Sequence, residues 1–202
     1  MNDHYFSVDP QAKHEIKEIQ EVLFGDEYTF LTDAGVFSRD GVDEGSKLLI
    51  AQFQFQPGQK ILDVGCGYGP LGIVAARLAG ESGSVDMIDV NQRAIELAKK
   101  NAALNRVSNI RVWASDGLAQ VYDQYDWIVT NPPIRAGKQV IYGIVEQAKE
   151  HLVPGGGLML VIRTKQGAKS MAKKMEEVYG NVETLDIKKG YRILKSVKHS
   201  LS

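Results

Sequence analysis

The chain has 202 residues, of which 44% are hydrophobic and 24% charged, and its formal net charge is −1. These values fit one globular domain and exclude a chain that is too short or too polar to bury a core. The single cysteine, Cys66, excludes an internal disulfide, and no apolar run approaches the roughly 20 residues of a membrane span. We expect one cytoplasmic domain over 1–202, with 1–45 as an N-terminal extension and loop and 46–202 as the core.

The N-terminal quarter predicts a hairpin, a loop and a helix. Residues 20–32 read as a β-hairpin around a turn at Gly25-Asp26, whereas the structure of 11–19 is left open. A polar, glycine-rich loop follows over 33–43. Residues 45–55 predict a helix, which Pro57-Gly58 ends.

From Lys60 onward, strand and helix patterns alternate. The short apolar runs are typical of parallel strands that are covered on both faces. The last two strands follow each other so closely, across Lys189-Gly190, that they must be antiparallel. The expected fold is therefore α/β: a doubly wound, seven-stranded, mostly parallel sheet with a C-terminal antiparallel hairpin and a small N-terminal β extension. The predicted strands are 60–64, 84–89, 109–114, 126–130, 157–163, 182–188 and 191–198, and the predicted helices after Lys60 are 70–79, 91–103, 138–152 and 166–179.

The segment 61–70 reads as a strand, a glycine turn and a helix start, which is the nucleotide-binding corner of a doubly wound sheet. Its glycines let the backbone lie directly against a flat ligand. Residues 67–72 match the dinucleotide pattern G-x-G-x-x-G, but Pro70 removes an N–H where a pyrophosphate would need one. The alternative pattern, Asp-x-Gly-x-Gly-x-Gly, suits a ligand without phosphate. Its acid, Asp63, would attract an ammonium group, directly or through water.

Two acids follow later strands of the series. Asp89 ends the strand at 84–89, where a carboxylate accepts hydrogen bonds from ribose hydroxyls, as it also does in nicotinamide-dependent enzymes. Asp116 follows the strand at 109–114, where a contact to a ligand and a helix N-cap are equal alternatives for its side chain. Asp89 therefore indicates a nucleoside without choosing the cofactor.

The segment Asn131-Pro132-Pro133-Ile134 directly follows the strand at 126–130. Two prolines fix the loop and leave its carbonyl groups unpaired by the sheet. These unpaired carbonyl groups would be available to a ligand. A rigid strand-exit turn without chemistry is the alternative interpretation.

The glycine corner together with Asn131-Pro132-Pro133 resembles class I S-adenosylmethionine (SAM)-dependent methyltransferases that act on planar nitrogens. The segment 32–49, with its Gly-Val-Phe-Ser, narrows the resemblance to the small-subunit ribosomal RNA guanine-N2 methyltransferase family, over about 20–198. This resemblance implies a Rossmann-like fold, SAM as cofactor, and methylation of a guanine N2 amine in ribosomal RNA or an assembling small subunit. Well-known members carry an additional N-terminal domain, for which this chain has no room.

The resemblance also implies roles for individual residues. An aromatic side chain often follows Asn-Pro-Pro to stack on a flipped base; here Ile134 takes that place, which leaves Phe37 and Tyr68 as stacking candidates. Phe37 and Ser38 would lie near the cofactor and the target base, and Asp43, Gly45 and Ser46 would help to close the pocket. Phe37 as a core residue and Asp43 as a helix cap are equal alternatives. The implied catalytic residues are Asn131, Pro132 and Pro133, of which the Asn131 side-chain oxygen and the Pro132 carbonyl would hold the amine and direct its lone pair. The implied cofactor-binding residues are Asp63, Gly65, Cys66, Gly67, Gly69, Asp89, Val90, Asp116 and Asn131. The implied substrate-binding residues are Phe37, Ile134, Arg135 and Lys138.

The partners follow from charge and spacing. The segment 163–202 holds ten Lys and Arg against four acids, which indicates either a polyanion partner or a solvated basic face. Arg163 and Lys165 could meet a phosphate. We expect no metal, because the four histidines lie far apart and none pairs with Cys66 at ligand spacing. We also expect no membrane association and a monomer or weak homodimer.

Three other functions remain open. One keeps the methyl transfer and changes the acceptor to adenine N6 or a protein glutamine amide. Another is a SAM-binding module without catalysis. The third is a nicotinamide-dependent oxidoreductase, which Pro70 disfavours.

Overall fold

A computed structural model describes residues 13–200 of the chain. Its nine strands form a two-stranded hairpin and a seven-stranded sheet with helices on both faces. The hairpin consists of β1 (Lys17–Leu23) and β2 (Asp26–Thr32). The large sheet consists of β3 (Lys60–Val64), β4 (Ser84–Asp89), β5 (Ile110–Ala114), β6 (Tyr125–Thr130), β7 (Leu152–Arg163), β8 (Glu183–Lys188) and β9 (Tyr191–Val197). The helices are α1 (Glu44–Ile50), α2 (Pro70–Ala79), α3 (Gln92–Leu104), α4 (Lys138–Glu150) and α5 (Ala168–Tyr179).

The large sheet has the strand order β5-β4-β3-β6-β7-β9-β8. The strands from β3 to β7 pair in parallel, whereas β9 is antiparallel to both of its neighbours. The chain moves outward from β3 to β5 and then returns to place β6 on the other side of β3. This reversal opens a crevice beyond the carboxyl ends of β3 and β6, where sheets of this kind bind ligands.

Each face of the sheet is covered by its own apolar cluster. One cluster joins the hairpin, α1, α2 and α3 to the sheet, and includes Phe30, Leu49, Ile73 and Ala98. The other joins α4 and α5 to the opposite face. Because the central strands are buried on both sides, their sequences are continuously apolar rather than alternating.

Asn101 of α3 and Asn105, which directly follows this helix, hold the hairpin to the body of the protein. The Asn101 side-chain oxygen accepts from the Leu31 N–H at 2.7 Å, and its nitrogen donates to the carbonyls of Leu31 at 2.9 Å and Tyr68 at 2.8 Å. Asn105 makes the equivalent pair of bonds to Thr29 at 3.1 and 2.8 Å. The end of the hairpin, and therefore the start of the loop at 33–43, is fixed beside the glycine turn.

The predicted fold is confirmed, and three predicted boundaries were wrong. The hairpin begins at Lys17, within the segment whose structure the sequence left open, and β7 begins at Leu152 rather than 157. The first helix ends at Ile50 rather than 55. Phe53 and Phe55 are both buried, with ring centroids 4.5 Å apart. Two residues apart on a helix would face opposite directions, so burying both requires an irregular chain.

None of the helices within 13–200 is long and apolar enough to cross a membrane.

Candidate active site

Six segments of the chain meet at one edge of the large sheet. The glycine turn follows β3, Asp89 ends β4, Asp116 follows β5 and Asn131 follows β6. Since these strands are parallel, their carboxyl ends lie at the same edge. The end of β7 and the start of the antiparallel β9 reach this edge too, because Arg163 and Tyr191 are paired in register.

The glycine turn is closed onto the neighbouring strand β4. The N–H groups of Gly65 and Cys66 both donate to the Ile88 carbonyl at 2.9 Å, and the Gly67 N–H donates to the Asp89 carboxylate at 2.8 Å. Gly65 has a φ of +70°, and a Cβ there would project into open space. The turn therefore presents bare backbone to a cavity that a side chain would fill.

Three cavities meet at Asn131, which lines all of them. The first cavity, of about 200 Å³, lies over the ends of β3, β4 and β5. Gly65 lines both this cavity and the second, a small one of about 40 Å³ above the glycine turn. The third, of about 560 Å³, opens on the other side of Asn131, between the loop at 33–43 and the ends of β7 and β9. The crevice thus has two narrow compartments and one wide one, with a single amide at the junction.

Asp89, Val90 and Asp116, which the sequence predicts to bind the cofactor, all line the first cavity. Asp89 is buried, and besides the Gly67 N–H it accepts the Asn91 N–H at 2.9 Å. Val90 lies beside it in the cavity wall. The Asp116 carboxylate has no hydrogen-bond partner among residues 13–200, and it caps no helix, because a turn rather than a helix follows it. The helix-cap alternative for Asp116 was wrong, and its oxygens are open to a ligand.

Asp63 lies behind the glycine turn and lines none of the three cavities. It is fully buried; one carboxylate oxygen accepts the Gly72 N–H at 2.9 Å, and the other has no hydrogen-bond partner within residues 13–200. Burial, with a smaller contribution from Asp89, raises the pKa of Asp63 to about 8 against the opposing effect of the Gly72 bond. Its contact with an ammonium group stays a prediction.

Of the other residues of the glycine turn, some line a cavity and others pack within the protein. Cys66 and Gly67 line the small cavity, and burial raises the pKa of the Cys66 thiol well above its ordinary value. Gly69 lines none of the three cavities; it is the N-cap residue before α2, with a φ of +104°, and a Cβ there would lie 3.0 Å from the Ile73 Cδ1. A Cβ on Gly72 would lie 2.1 Å from the Met87 sulfur, so this glycine lets α2 pack closely on β4.

Asn131 is oriented by residues at the start of α1. Its side-chain nitrogen donates to both carboxylate oxygens of Asp43 at 3.2 Å and to the Ser46 hydroxyl at 3.1 Å. A carboxylate only accepts, so the amide nitrogen must face Asp43 and the amide oxygen must face away from it. Asp43 also caps α1 by accepting from the N–H groups of Gly45 and Ser46, which confirms the helix-cap interpretation.

The two prolines after Asn131 use their carbonyls differently. The Pro133 carbonyl accepts the Ala136 N–H at 2.8 Å and closes a 3₁₀ turn over Ile134–Ala136. The Pro132 carbonyl accepts no hydrogen bond from the described part of the chain. Two open acceptors, the Asn131 amide oxygen and the Pro132 carbonyl, therefore belong to adjacent residues at the cavity junction.

Three of the four residues that the sequence predicts to contact the substrate line the same cavity. Phe37, Ile134 and Arg135 line the wide cavity, and Phe37 is 50% exposed, so its interpretation as a core residue was wrong. Lys138 lies in a neighbouring pocket that shares Ile134, with its amine 5.1 Å from the Tyr142 ring centroid. Tyr68 lines the small cavity but is buried and packs against Phe30, so its stacking on a ligand stays a prediction.

Several lining residues escaped the sequence reasoning. In the wide cavity they come from the far ends of the sheet, where no motif marks them: Val161, Gln166 and Tyr191. In the first cavity, Ser115 and Gly117 flank Asp116 in the chain, which was the only available signal, whereas Val140 and Ile144 come from α4 and carried none.

The residues present fit a nucleoside-bearing cofactor without phosphate. Gly65 leaves open space for a flat group, and Asp116 offers free acceptors to an amine. Pro70 begins α2 and lacks the N–H that a pyrophosphate would use. A doubly wound sheet with this glycine turn, these acids and an Asn-Pro-Pro loop defines a class I SAM-dependent methyltransferase.

Comparison with known proteins gives the family. The family model described as methyltransferase small domain matches residues 27–195, and the chain belongs to that family. SAM is therefore its cofactor, and the nicotinamide-dependent alternative is removed.

Among the relatives, a Bacillus subtilis protein named YbxB is 43% identical over 98% of this chain and 100% of its own length. The ribosomal RNA small subunit methyltransferase C of Klebsiella pneumoniae is 37% identical over 67% of this chain and 40% of its own length. The structure of the T. thermophilus 16S rRNA N2 methyltransferase (RsmC) in complex with AdoMet and guanosine matches with a TM-score of 0.83 at 28% identity, covering 94% of this chain and 52% of that one. The chain thus spans about half or less of the methyltransferase C relatives.

Proposed function

We propose that the chain transfers a methyl group from SAM to the exocyclic N2 amine of a guanine in small-subunit ribosomal RNA. The observation that carries this proposal is the orientation of Asn131. Its nitrogen is occupied by Asp43 and Ser46, so its oxygen is left to accept a hydrogen bond at the junction of the three cavities. The resemblance in sequence and structure to ribosomal RNA small subunit methyltransferase C supports guanine as the acceptor.

The paired acceptors suit the chemistry of an aromatic amine. Such a nitrogen is a poor nucleophile, because its lone pair is delocalised into the ring. Hydrogen bonds from its two hydrogens to the Asn131 oxygen and the Pro132 carbonyl would fix its position and concentrate the lone pair on one side. SAM, when bound, supplies an electrophilic methyl group on a sulfonium.

Asp43 has an electrostatic part in the same step. It is the one carboxylate that lines the wide cavity among residues 13–200, and it also lines the small cavity. Positive charge develops on the amine nitrogen as the new bond forms. A fixed negative charge one hydrogen bond away, behind Asn131, stabilises that charge without reorganisation.

The wide cavity has features that suit a flipped nucleobase. Its volume of about 560 Å³ lies beside a half-exposed aromatic ring, Phe37, and it is bounded by the Pro132-Pro133 segment. Stacking of a base on an aromatic side chain typically contributes about 1–3 kcal/mol. We assign Phe37 to that contact, Arg135 to a phosphate, and Ile134 to the apolar wall.

The decisive experiment supplies labelled SAM together with small ribosomal subunits, naked ribosomal RNA, DNA or protein. Label in RNA, recovered after digestion as N2-methylguanosine by mass spectrometry, is the expected result. Comparing RNA from cells with and without the protein then maps the position. Label in adenine or in protein would replace guanine by the corresponding acceptor, and SAM binding without any transfer would indicate a non-catalytic module.

A further inference from the structure

The wide cavity contains two arginines that have no acidic partner within 13–200. The chain has eight arginines, and four of them form ion pairs with carboxylates: Arg39, Arg77, Arg93 and Arg111. Of the four others, Arg135 and Arg163 both line the wide cavity. Their guanidinium donors are therefore available to acceptors of a ligand in that cavity.

Arg163, although exposed like Arg135, has an aromatic side chain beside its guanidinium. It is the last residue of β7, in register with Tyr191 at the start of β9, and its guanidinium lies 4.8 Å from the Tyr191 ring centroid. The Tyr191 ring is itself wedged against α1, since a Cβ on Gly45 would come within 2.9 Å of its Cε1. An ion pair of 2.6 Å between Lys189 and Glu44 ties the same hairpin to α1. The Tyr191 ring thus gives the Arg163 guanidinium a preferred position at the cavity.

Arg135 is placed differently. It lies on the 3₁₀ turn after the prolines, its side chain is exposed, and no aromatic ring or carboxylate holds it within the described residues. A long, unrestrained side chain at the cavity rim suits a phosphate, which a donor can reach from many directions. Contacts to phosphate position a nucleic acid, whereas contacts to base edges specify its sequence.

The chemistry of the base gives these two positions different roles. A guanine whose N2 amine lies at Asn131 carries a carbonyl, O6, on the same ring and N7 beyond it. Both are acceptors, and arginine is the side chain that most often binds this edge with two donors. An adenine that presents its amine to Asn131 has no carbonyl oxygen.

We propose that Arg163, held in place by Tyr191, donates to the O6 edge of the target guanine and is the specificity-determining residue of the site. This inference rests on the proposed function. Tyr191 is a positioning residue, because it acts through Arg163.

The test compares guanosine with 2-aminopurine riboside, which keeps the 2-amino group and lacks O6. Binding of each nucleoside is measured by ligand-detected NMR, which reaches millimolar affinities, with the protein saturated with S-adenosylhomocysteine. The wild-type protein should prefer guanosine by about 10- to 100-fold. Arg163→Lys and Arg163→Ala should reduce this preference mainly through weaker guanosine binding, with a smaller loss for 2-aminopurine riboside, which keeps N7. Tyr191→Leu should reduce the preference part of the way.

Arg135→Ala is the matched control. It should keep the nucleoside preference, weaken binding to small-subunit ribosomal RNA, and lower the slope of log affinity against log salt by about one. Equal binding of both nucleosides by the wild-type protein, or equal losses for both in the Arg163 variants, would overturn the proposal. Both outcomes are separate from failure of the proposed function, which appears as a wild-type protein that places no methyl group on RNA guanine.

Discussion

The side-chain nitrogen of Asn131 lies 3.2 Å from each carboxylate oxygen of Asp43, a residue 88 positions earlier in the chain. This contact joins the loop after β6 to the start of α1 and decides which end of the Asn131 amide faces the cavities. Asp43 therefore does more than cap a helix, because it sets the orientation of the amide on which the proposed methyl transfer depends.

Replacing Asp43 by asparagine should lower turnover about 10- to 100-fold with little change in affinity for S-adenosylhomocysteine. An asparagine still caps α1 through its oxygen, but its amide no longer offers two acceptors to Asn131. Methyl-transfer rates and calorimetry measure the two effects. Ser46→Ala, which removes one neutral contact, should cost less than about tenfold. A parallel fall in cofactor affinity for Asp43→Asn would place its role in the cofactor site instead.

Asn131→Ala should lower turnover by about 10²- to 10³-fold, because the variant loses the acceptor that holds the amine. Cofactor affinity should change little, since the cofactor cavities are also walled by Gly65 and Asp89. Single-turnover kinetics and calorimetry with S-adenosylhomocysteine report the two quantities separately. Abolished cofactor binding would show that the role assigned to Asn131 is wrong.

Asp89→Ala and Asp116→Ala should both weaken SAM binding but differ in stability. For Asp89 we expect a loss of about 1–3 kcal/mol in binding free energy, from missing ribose hydrogen bonds. The variant should also melt at a lower temperature, because Asp89 holds the N–H groups of Gly67 and Asn91. Asp116 makes no such bonds within 13–200, so Asp116→Ala should leave the melting temperature of the free protein unchanged. Calorimetry measures the SAM affinity of both variants, and thermal denaturation measures their melting temperatures. A lower melting temperature for Asp116→Ala would contradict the prediction for that residue.

Gly72→Ala and Gly65→Ala should separate packing from binding. A Cβ on Gly72 would clash with the Met87 sulfur at 2.1 Å, so urea denaturation should show a loss of about 1–3 kcal/mol in the free energy of unfolding. A Cβ on Gly65 meets no protein atom within 4 Å and instead projects into the crevice. We expect Gly65→Ala to lose mainly affinity for S-adenosylhomocysteine, with a smaller loss of stability from its positive φ. Undiminished affinity would mean that the cofactor does not approach this turn.

Asp63 should make the stability of the free protein depend on pH. Its pKa is raised from 3.8 to about 8 in the folded protein, so between these values the folded state keeps a proton that the unfolded state releases. The free energy of unfolding should therefore fall as pH rises from about 4 to about 8 and level off above. Asp63→Asn keeps an acceptor for the Gly72 N–H and removes the titration. Urea denaturation at pH 5.5, 7 and 8.5 should show a smaller decline for the variant; parallel declines would exclude Asp63 as the source.

The elements of the fold were predictable because their signals are local. Alternating apolar segments, the glycines of 65–69 and the prolines at 132–133 each constrain the backbone where they occur. Parallel strand direction then places the residues that follow β3, β4, β5 and β6 at one edge. Where local signals conflicted with packing, as at Phe53 and Phe55, the predicted helix was too long.

Sequence alone determined the cofactor corner and the Asn-Pro-Pro loop, since both are short segments whose residue types carry their own geometry. Only the tertiary structure decided that Asp43 orients Asn131 and that Tyr191 supports Arg163. These pairs join positions far apart in the chain, and contacts of that kind depend on strand order and register. No periodicity within one segment encodes them. The glycine turn was therefore predictable from its own residues, whereas the shape of the acceptor site depends on how α1, β7 and β9 pack around it.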